Sequence, residues 1–184
     1  MTNKKEELID NSKLDIEINP ENKKDITDCA IFFKGEGQRI IDLNRTSEFI
    51  TSMEKGKYTV YKTGGTHRLP MYKDRTDFPY LVNNYTNHIV KPNFSRAVYP
   101  CYSFNSKTYE NNKRIYCHRI FAMAFISCPN VSVAYNVDHI NEDKLDYSIH
   151  NLQWVSAGQN MSNVLNKASN KGKKYKVMSS ENYM

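Results

Sequence analysis

Residues 137 to 160 read VDHINEDKLDYSIHNLQWVSAGQN. They gather an Asp-His pair, a polar loop and two well-spaced asparagines, Asn151 and Asn160, around one short apolar run, Leu152 to Val155. That run holds Trp154, the chain's only tryptophan, which reads as core packing. An imidazole titrates near ~6.5 and so exchanges protons at neutral pH, while carboxylates and amides offer oxygen atoms as acceptors. Taken alone, Asp138-His139 reads as a surface turn and His150 as an exposed loop residue. The elements on either side decide whether these groups can meet.

Tyr135 to Ile140 has the composition of a strand, and Leu152 to Val155 that of its partner, with a polar loop between them. Ser156-Ala-Gly-Gln159 is a capping box, in which Ser156 accepts from the N3 amide and Gln159 reaches back. It predicts a helix from 157 to about 167, with Asn160 in the first turn near the strand ends. Upstream, CHRIFAMAFISCPN changes to a helical period and stops at Cys128-Pro129. The expected helix covers about 117 to 127, with Ile120, Phe121, Ala124 and Phe125 packed inward. Neighbouring strand residues point to opposite faces, so Asp138 and His139 share a site only at a strand end or bend. Asn141 and the DKLDYS run permit that bend.

The rest of the chain sets bounds. A length of 184 residues holds one domain, or one domain with an appendage, and 39% apolar residues suffice for a core. No run approaches the ~18–20 apolar residues of a membrane span, and the MTNKKEELID start has no apolar signal region. A soluble, intracellular protein is expected, with no membrane and no obligate protein partner. Four cysteines without a CxxC pair argue against a zinc ribbon or a disulfide framework and for free thiols. A zinc site from Cys117, His118 and Cys128 is disfavoured, and His118 reads first as a structural histidine at a helix start, with a phosphate- or metal-binding role as the alternative. The TGGTH stretch, residues 63 to 67, reads as a turn and lacks the Lys-Ser/Thr of a phosphate-cradling loop.

Charge is unevenly placed. Residues 1 to 30 carry five lysines against eight acidic groups, and the remainder carries 21 basic against 12 acidic groups. A basic body favours a polyanionic partner. The expected organisation is a polar, flexible segment over 1–28 and a small α/β appendage of unassigned role over 29–78. The block over 79–167 has two antiparallel hairpins and the helix leading into the quoted segment, and a basic tail fills 168–184. The hairpin strands are expected at 80–82 and 88–90, and then within YPCYSFNSKTY and KRIYCHR, with Asn111-Asn112 as the second turn.

The run HRIFAMAFISCPN, then VDHIN, HNLQWV and QNMSN, with YLVNNYTNHIVKP ahead of them, resembles the HNH endonucleases, nearest by motif to the homing type of phage and giant-virus genomes. Twelve residues separate His139 from Asn151 and nine separate Asn151 from Asn160, and both spacings suit that pattern. The resemblance covers roughly residues 79 to 167. It implies an α+β fold with a ββα-metal (His-Me finger) core preceded by small antiparallel hairpins and a helix. It also implies a phosphodiester hydrolase acting on double-stranded DNA. Asp138 and Asn160 would be oxygen ligands of one Mg²⁺ or Mn²⁺ ion, His139 the general base, and Asn151 the residue that holds the loop and orients it.

Between residues 66 and 119 nine Lys/Arg face three Asp/Glu among many tyrosines. Arg68, Lys91, Arg96, Lys113, Arg114 and Arg119 are the candidate phosphate contacts, and the hairpin strands candidate groove readers. Relatives often carry a helix-turn-helix module after the core, and residues after 167 leave little room for one. The competing reading is a catalytically inactive nucleic-acid-binding protein on an HNH scaffold. A packaging component, supported by net charge alone, is a third.

Overall fold

The computed structural model describes residues 22–94, 98–105 and 113–162. The fold is mixed α+β, built from small antiparallel sheets and few helices. Strand β1 (Lys23–Asp25) leads through a 3₁₀ turn into helix α1 (Gln38–Thr51) and strand β2 (Tyr58–Gly65). Strands β3 (Phe78–Asn83) and β4 (His88–Val90) complete a four-stranded antiparallel sheet in the order β1-β2-β3-β4. The ribbon β5 (Cys101–Phe104) and β6 (Lys113–Tyr116) feeds helix α2 (Cys117–Phe125). A second ribbon pairs β7 (Tyr135–His139) with β8 (Leu152–Ser156), and helical structure resumes at 157 and continues to 162, the last described residue.

Helix α2 is the centre of the molecule. Seven of its residues, from Cys117 to Ala124 with Arg119 excepted, are buried, so it is apolar nearly all round, as a helix enclosed by other elements must be. Ile120, Phe121 and Ala124 are in the core as the periodicity predicts, and Phe125 is half-buried against it. Helix α1 packs from outside with Ile40, Leu43 and Ile50 inward, the spacing of one helical face. Gly35 precedes it at φ 128°, where a β-carbon would sit 2.8 Å from the Ser132 carbonyl oxygen, so only glycine fits that approach. Trp154 is buried, its indole N–H donating to the Ile126 carbonyl at 3.0 Å.

The hairpin β3–β4 turns through an asparagine-rich tetrapeptide, with Asn87 at φ 52°, a conformation asparagine tolerates. The four cysteines form no disulfide, and Cys29, Cys101 and Cys117 are buried. No helix among the described residues is long and apolar enough to cross a membrane.

Three expectations are corrected. Residues 22–28 are not a flexible polar segment, because Ile26 and Cys29 bury themselves and Asp25 caps the 3₁₀ turn by accepting from Thr27 N at 2.9 Å. The TGGTH stretch is not a turn at its start, for β2 continues to Gly65 through a register shift between Tyr61 and Gly65. Residues 29–78 are not an appendage either. Sheet pairing runs across the 78/79 boundary through β2–β3, and one hydrophobic cluster spans both sides. The turn at Asn111-Asn112, the end of the helix expected to 167, and the tail 168–184 lie outside the described residues.

Candidate functional site

A cavity of about 390 Å³ opens where the β7–β8 ribbon ends against the start of α2. Asp138 and His139 are the last two residues of β7, paired with Gln153 and Leu152 of β8. Both line the cavity, which therefore wraps around the ribbon's end and relieves the strand-alternation difficulty. Asn160 lines it too, carried there by the helical turn that starts at 157. The capping box forms as the sequence predicts. Ser156 N donates to Gln159 Oε1 at 2.9 Å, and Gln159 N donates to Ser156 Oγ at 3.3 Å.

The imidazole of His139 is 4% exposed, and its Nε2 has no hydrogen-bond partner. Burial pushes its pKa below the ordinary 6.5, against the opposing pull of Asp138, Asp146 and Asp143. The ring is therefore neutral at pH 7, the state a proton acceptor requires. Gln153 Nε2 donates to Asp138 Oδ2 at 3.4 Å, a long contact that leaves most of the carboxylate's acceptor capacity open.

Asn151 does not line the cavity, and it acts on the loop. Its side chain exchanges two bonds with Asn141. Asn141 N donates to Asn151 Oδ1 at 3.0 Å, and Asn151 Nδ2 donates to Asn141 Oδ1 at 2.9 Å and to the Asp146 carbonyl at 2.8 Å. The Asn151 carbonyl accepts from Ile140 N at 2.9 Å. These bonds fix the backbone immediately after His139 without touching its ring, so Asn151 is a positioning residue.

Sequence reading passed over Tyr99 and Lys144 here and favoured a structural role for His118. His118 is buried, and its Nδ1 has no partner. It lines the cavity with its ring centroid 5.1 Å from that of His139. Tyr99 lies against both imidazoles, at 4.7 Å from His118 and 5.7 Å from His139, and Lys144 Nζ sits 5.4 Å from the Tyr99 ring. The one signal for His118 was its place at the N-terminus of the most apolar helix, where a polar ring has no solvent to face. Asn141 was visible as an Asx-turn former, since Asn141 and Asp143 each accept from the amide two residues on.

Of the candidate phosphate contacts among the described residues, Arg119 alone lines the cavity. It is half-buried and makes no ion pair among the described residues, and burial lowers its pKa from the ordinary guanidinium range without uncharging it. Arg68 lies over the Phe94 ring at 5.0 Å, Lys113 is 6.0 Å from the Phe49 ring, and Lys91 and Arg114 are exposed away from the cavity lining. Arg96 lies outside the described residues.

Among the described residues no group of three or more His, Cys, Asp or Glu is placed to hold a metal ion. Asp138 and Asn160 instead offer one carboxylate and one amide oxygen. That sparse oxygen set suits Mg²⁺ or Mn²⁺, which retain waters and take substrate oxygens, and it is too poor for a structural zinc. No family model, no curated protein and no solved structure matches the chain.

Proposed function

We propose that the protein is a divalent-metal-dependent DNA endonuclease of the HNH type, with the ribbon β7–β8 and the helix after it as the ββα-metal core. The observation that carries the reading is a neutral, buried imidazole with an unsatisfied Nε2, in one cavity with Asp138, Asn160 and an arginine that lacks an ion pair. A buried polar atom without a partner costs roughly 1–3 kcal/mol, and a desolvated guanidinium with only a more distant carboxylate, Asp42, to favour its charge is also unfavourable. Both costs are offset when a phosphodiester and its attacking water occupy the cavity.

His139 Nε2 accepts the proton of the attacking water, and the imidazolium so formed is stabilised by the neighbouring Asp138 carboxylate and, further off, by Asp146 and Asp143. Arg119 takes a non-bridging phosphate oxygen and neutralises its charge in a site poor in water. Asp138 and Asn160 would hold Mg²⁺ or Mn²⁺, which when bound would supply Lewis-acid stabilisation of the phosphate and the departing 3′ oxygen. Arg68, Lys91 and Arg114 lie on exposed surface and are suited to backbone contacts that position a duplex. Nicking and homing-type cleavage are both compatible with one such centre per chain.

Supercoiled plasmid incubated with Mg²⁺ or Mn²⁺ tests the reading. The wild-type chain converts it to nicked or linear DNA, EDTA stops the conversion, and His139→Ala lowers the rate by ~10²- to 10⁴-fold while DNA binding persists. Salt-sensitive DNA binding without cleavage under either metal overturns the proposal in favour of a binding protein.

A further inference from the structure

We infer that the stretch His67–Asp77, which joins β2 to β3, is a clasp that positions the candidate centre, with Arg75 acting on His139 through Asp146. The inference rests on the nuclease reading for its catalytic consequence and on geometry alone for the clasp.

The loop from Ile140 to Ser148 contains no helix or strand. Its own bonds are short-range turns, and it must still hold Asn141 against Asn151 and so fix the end of β7. Three side chains from the His67–Asp77 stretch reach it. His67 Nε2 meets the Leu145 carbonyl at 3.1 Å, the Tyr72 hydroxyl donates to Asp143, and Arg75 donates to Asp146. The Arg75–Asp146 contact is the ion pair among the three.

The Arg75–Asp146 contact is the decisive one. Asp146 is 4% exposed, and a carboxylate so placed stays ionised only with a cation and donors around it. Arg75 Nη1 donates to Oδ2 at 2.8 Å and Nη2 to Oδ1 at 3.3 Å, and Ser148 supplies a hydroxyl donor at 2.6 Å and its amide at 3.2 Å. Burial pushes the Asp146 pKa up, and the Arg75 and Ser148 bonds outweigh it, so the net shift is downward. The same Oδ2 accepts from Asn141 Nδ2 at 3.1 Å. A chain of direct bonds thus runs Arg75, Asp146, Asn141, Asn151, and Asn151 ties down the backbone that follows His139.

Arg75 is itself held rigidly. Asp77 accepts from its Nε at 2.9 Å and from Nη2 at 2.8 Å, and the guanidinium lies 4.5 Å over the Phe78 ring. A planar fork with five donors meets all of these at once, and a lysine cannot. Without Arg75 the Asp146 carboxylate takes a proton or turns to water, and Asn141 loses the acceptor that orients it. Arg75 touches no cavity-lining group, so it is a positioning residue.

The test compares Arg75→Ala, Arg75→Lys and the wild type as full chains, with Asn151→Ala as a reference. Amide hydrogen exchange is read on 140–148, and single-turnover cleavage, DNA affinity and thermal unfolding are read in parallel. Arg75→Ala speeds exchange in the loop by on the order of tenfold while the β2–β3 amides keep their protection. Its cleavage rate falls about 10- to 100-fold at unchanged DNA affinity, with Arg75→Lys intermediate. Millimolar guanidinium restores part of the rate to Arg75→Ala and none to Asn151→Ala, which a general loss of stability would not produce. The double variant Arg75→Ala/Asn151→Ala loses less than the product of the single losses, because both act on one loop. Unchanged loop exchange overturns the clasp, as does a cleavage loss that follows global unfolding or DNA affinity alone. A wild-type chain that does not cleave refutes the nuclease reading instead, and the exchange measurement still decides the clasp.

Discussion

His67 and His139 are buried to the same degree, 5% and 4% exposed, and their surroundings differ in kind. His67 sits in a box of Tyr72, Phe78, Phe94 and Tyr147, with ring centroids 4.5 to 5.3 Å away. Both its nitrogens are used. Leu69 N donates to Nδ1 at 3.1 Å, which leaves the proton on Nε2 to be donated to the Leu145 carbonyl. His139, with His118 beside it, keeps one nitrogen shielded from water and without a partner. The arginines repeat the contrast. Arg75 is ion-paired with two carboxylates, whereas Arg119 makes no ion pair among the described residues and feels Asp42 only at longer range. Polar groups fully satisfied by the protein hold it together, and those left unsatisfied beside a cavity are the groups on which the proposed function rests.

The sharpest break in this comparison is a pair of alanine substitutions. His139→Ala removes ~10²- to 10⁴-fold of cleavage rate and costs less stability than the loss of His67, since it gives up ring packing but no hydrogen bond of its unsatisfied Nε2. His67→Ala does the reverse, lowering stability by about 3 kcal/mol through a cavity and two lost bonds, as denaturant titration would show. Equal stability losses in the two variants would dissolve the distinction.

Arg119 offers the next test. Arg119→Ala weakens duplex binding by about 1–3 kcal/mol and lowers the salt slope of log K by ~1, without destabilising the fold. A loss of stability comparable to that of Arg75→Ala would mean that Arg119 is a packing residue.

The smallest effect is on the pH dependence of stability. Burial lowers the pKa of His67, His118 and His139 from 6.5, so between the folded values and 6.5 the unfolded chain binds more protons. Stability is therefore full above pH 6.5 and falls as pH drops through the window beneath it. Each histidine contributes a slope of at most ~1.4 kcal/mol per pH unit. His67→Gln flattens the curve by up to one such contribution, and thermal unfolding measured between pH 7 and 5 would detect it. An unchanged slope would mean that His67 takes its proton inside the box.

Much of the fold was legible because it is written locally. The capping box at Ser156, the period of α2 and the asparagine turn after β3 each depend on residues a few positions apart, and all three appear where expected. The strand at 23–25 was not legible, since KKD has no strand pattern of its own and pairs only because β2 lies beside it. The role of 66–78 was hidden for a similar reason. Arg75 and Asp146 are 71 positions apart, and nothing in either neighbourhood names the other. The cavity beside His118 was not legible, because burial and solvent-facing positions look alike at a helix start until the neighbouring strand end is in place.

The sequence by itself determined which groups can do chemistry and which of them share a ribbon, because spacing along a strand, loop and helix turn constrains Asp138, His139, Asn151 and Asn160 to within a few residues of one another in space. Only the tertiary structure decided that His139 is buried and neutral, that His118 and Arg119 from α2 join it, and that a distant stretch holds the loop. Burial and ion pairing depend on which surfaces meet across the whole chain, and short-range residue patterns carry no record of that.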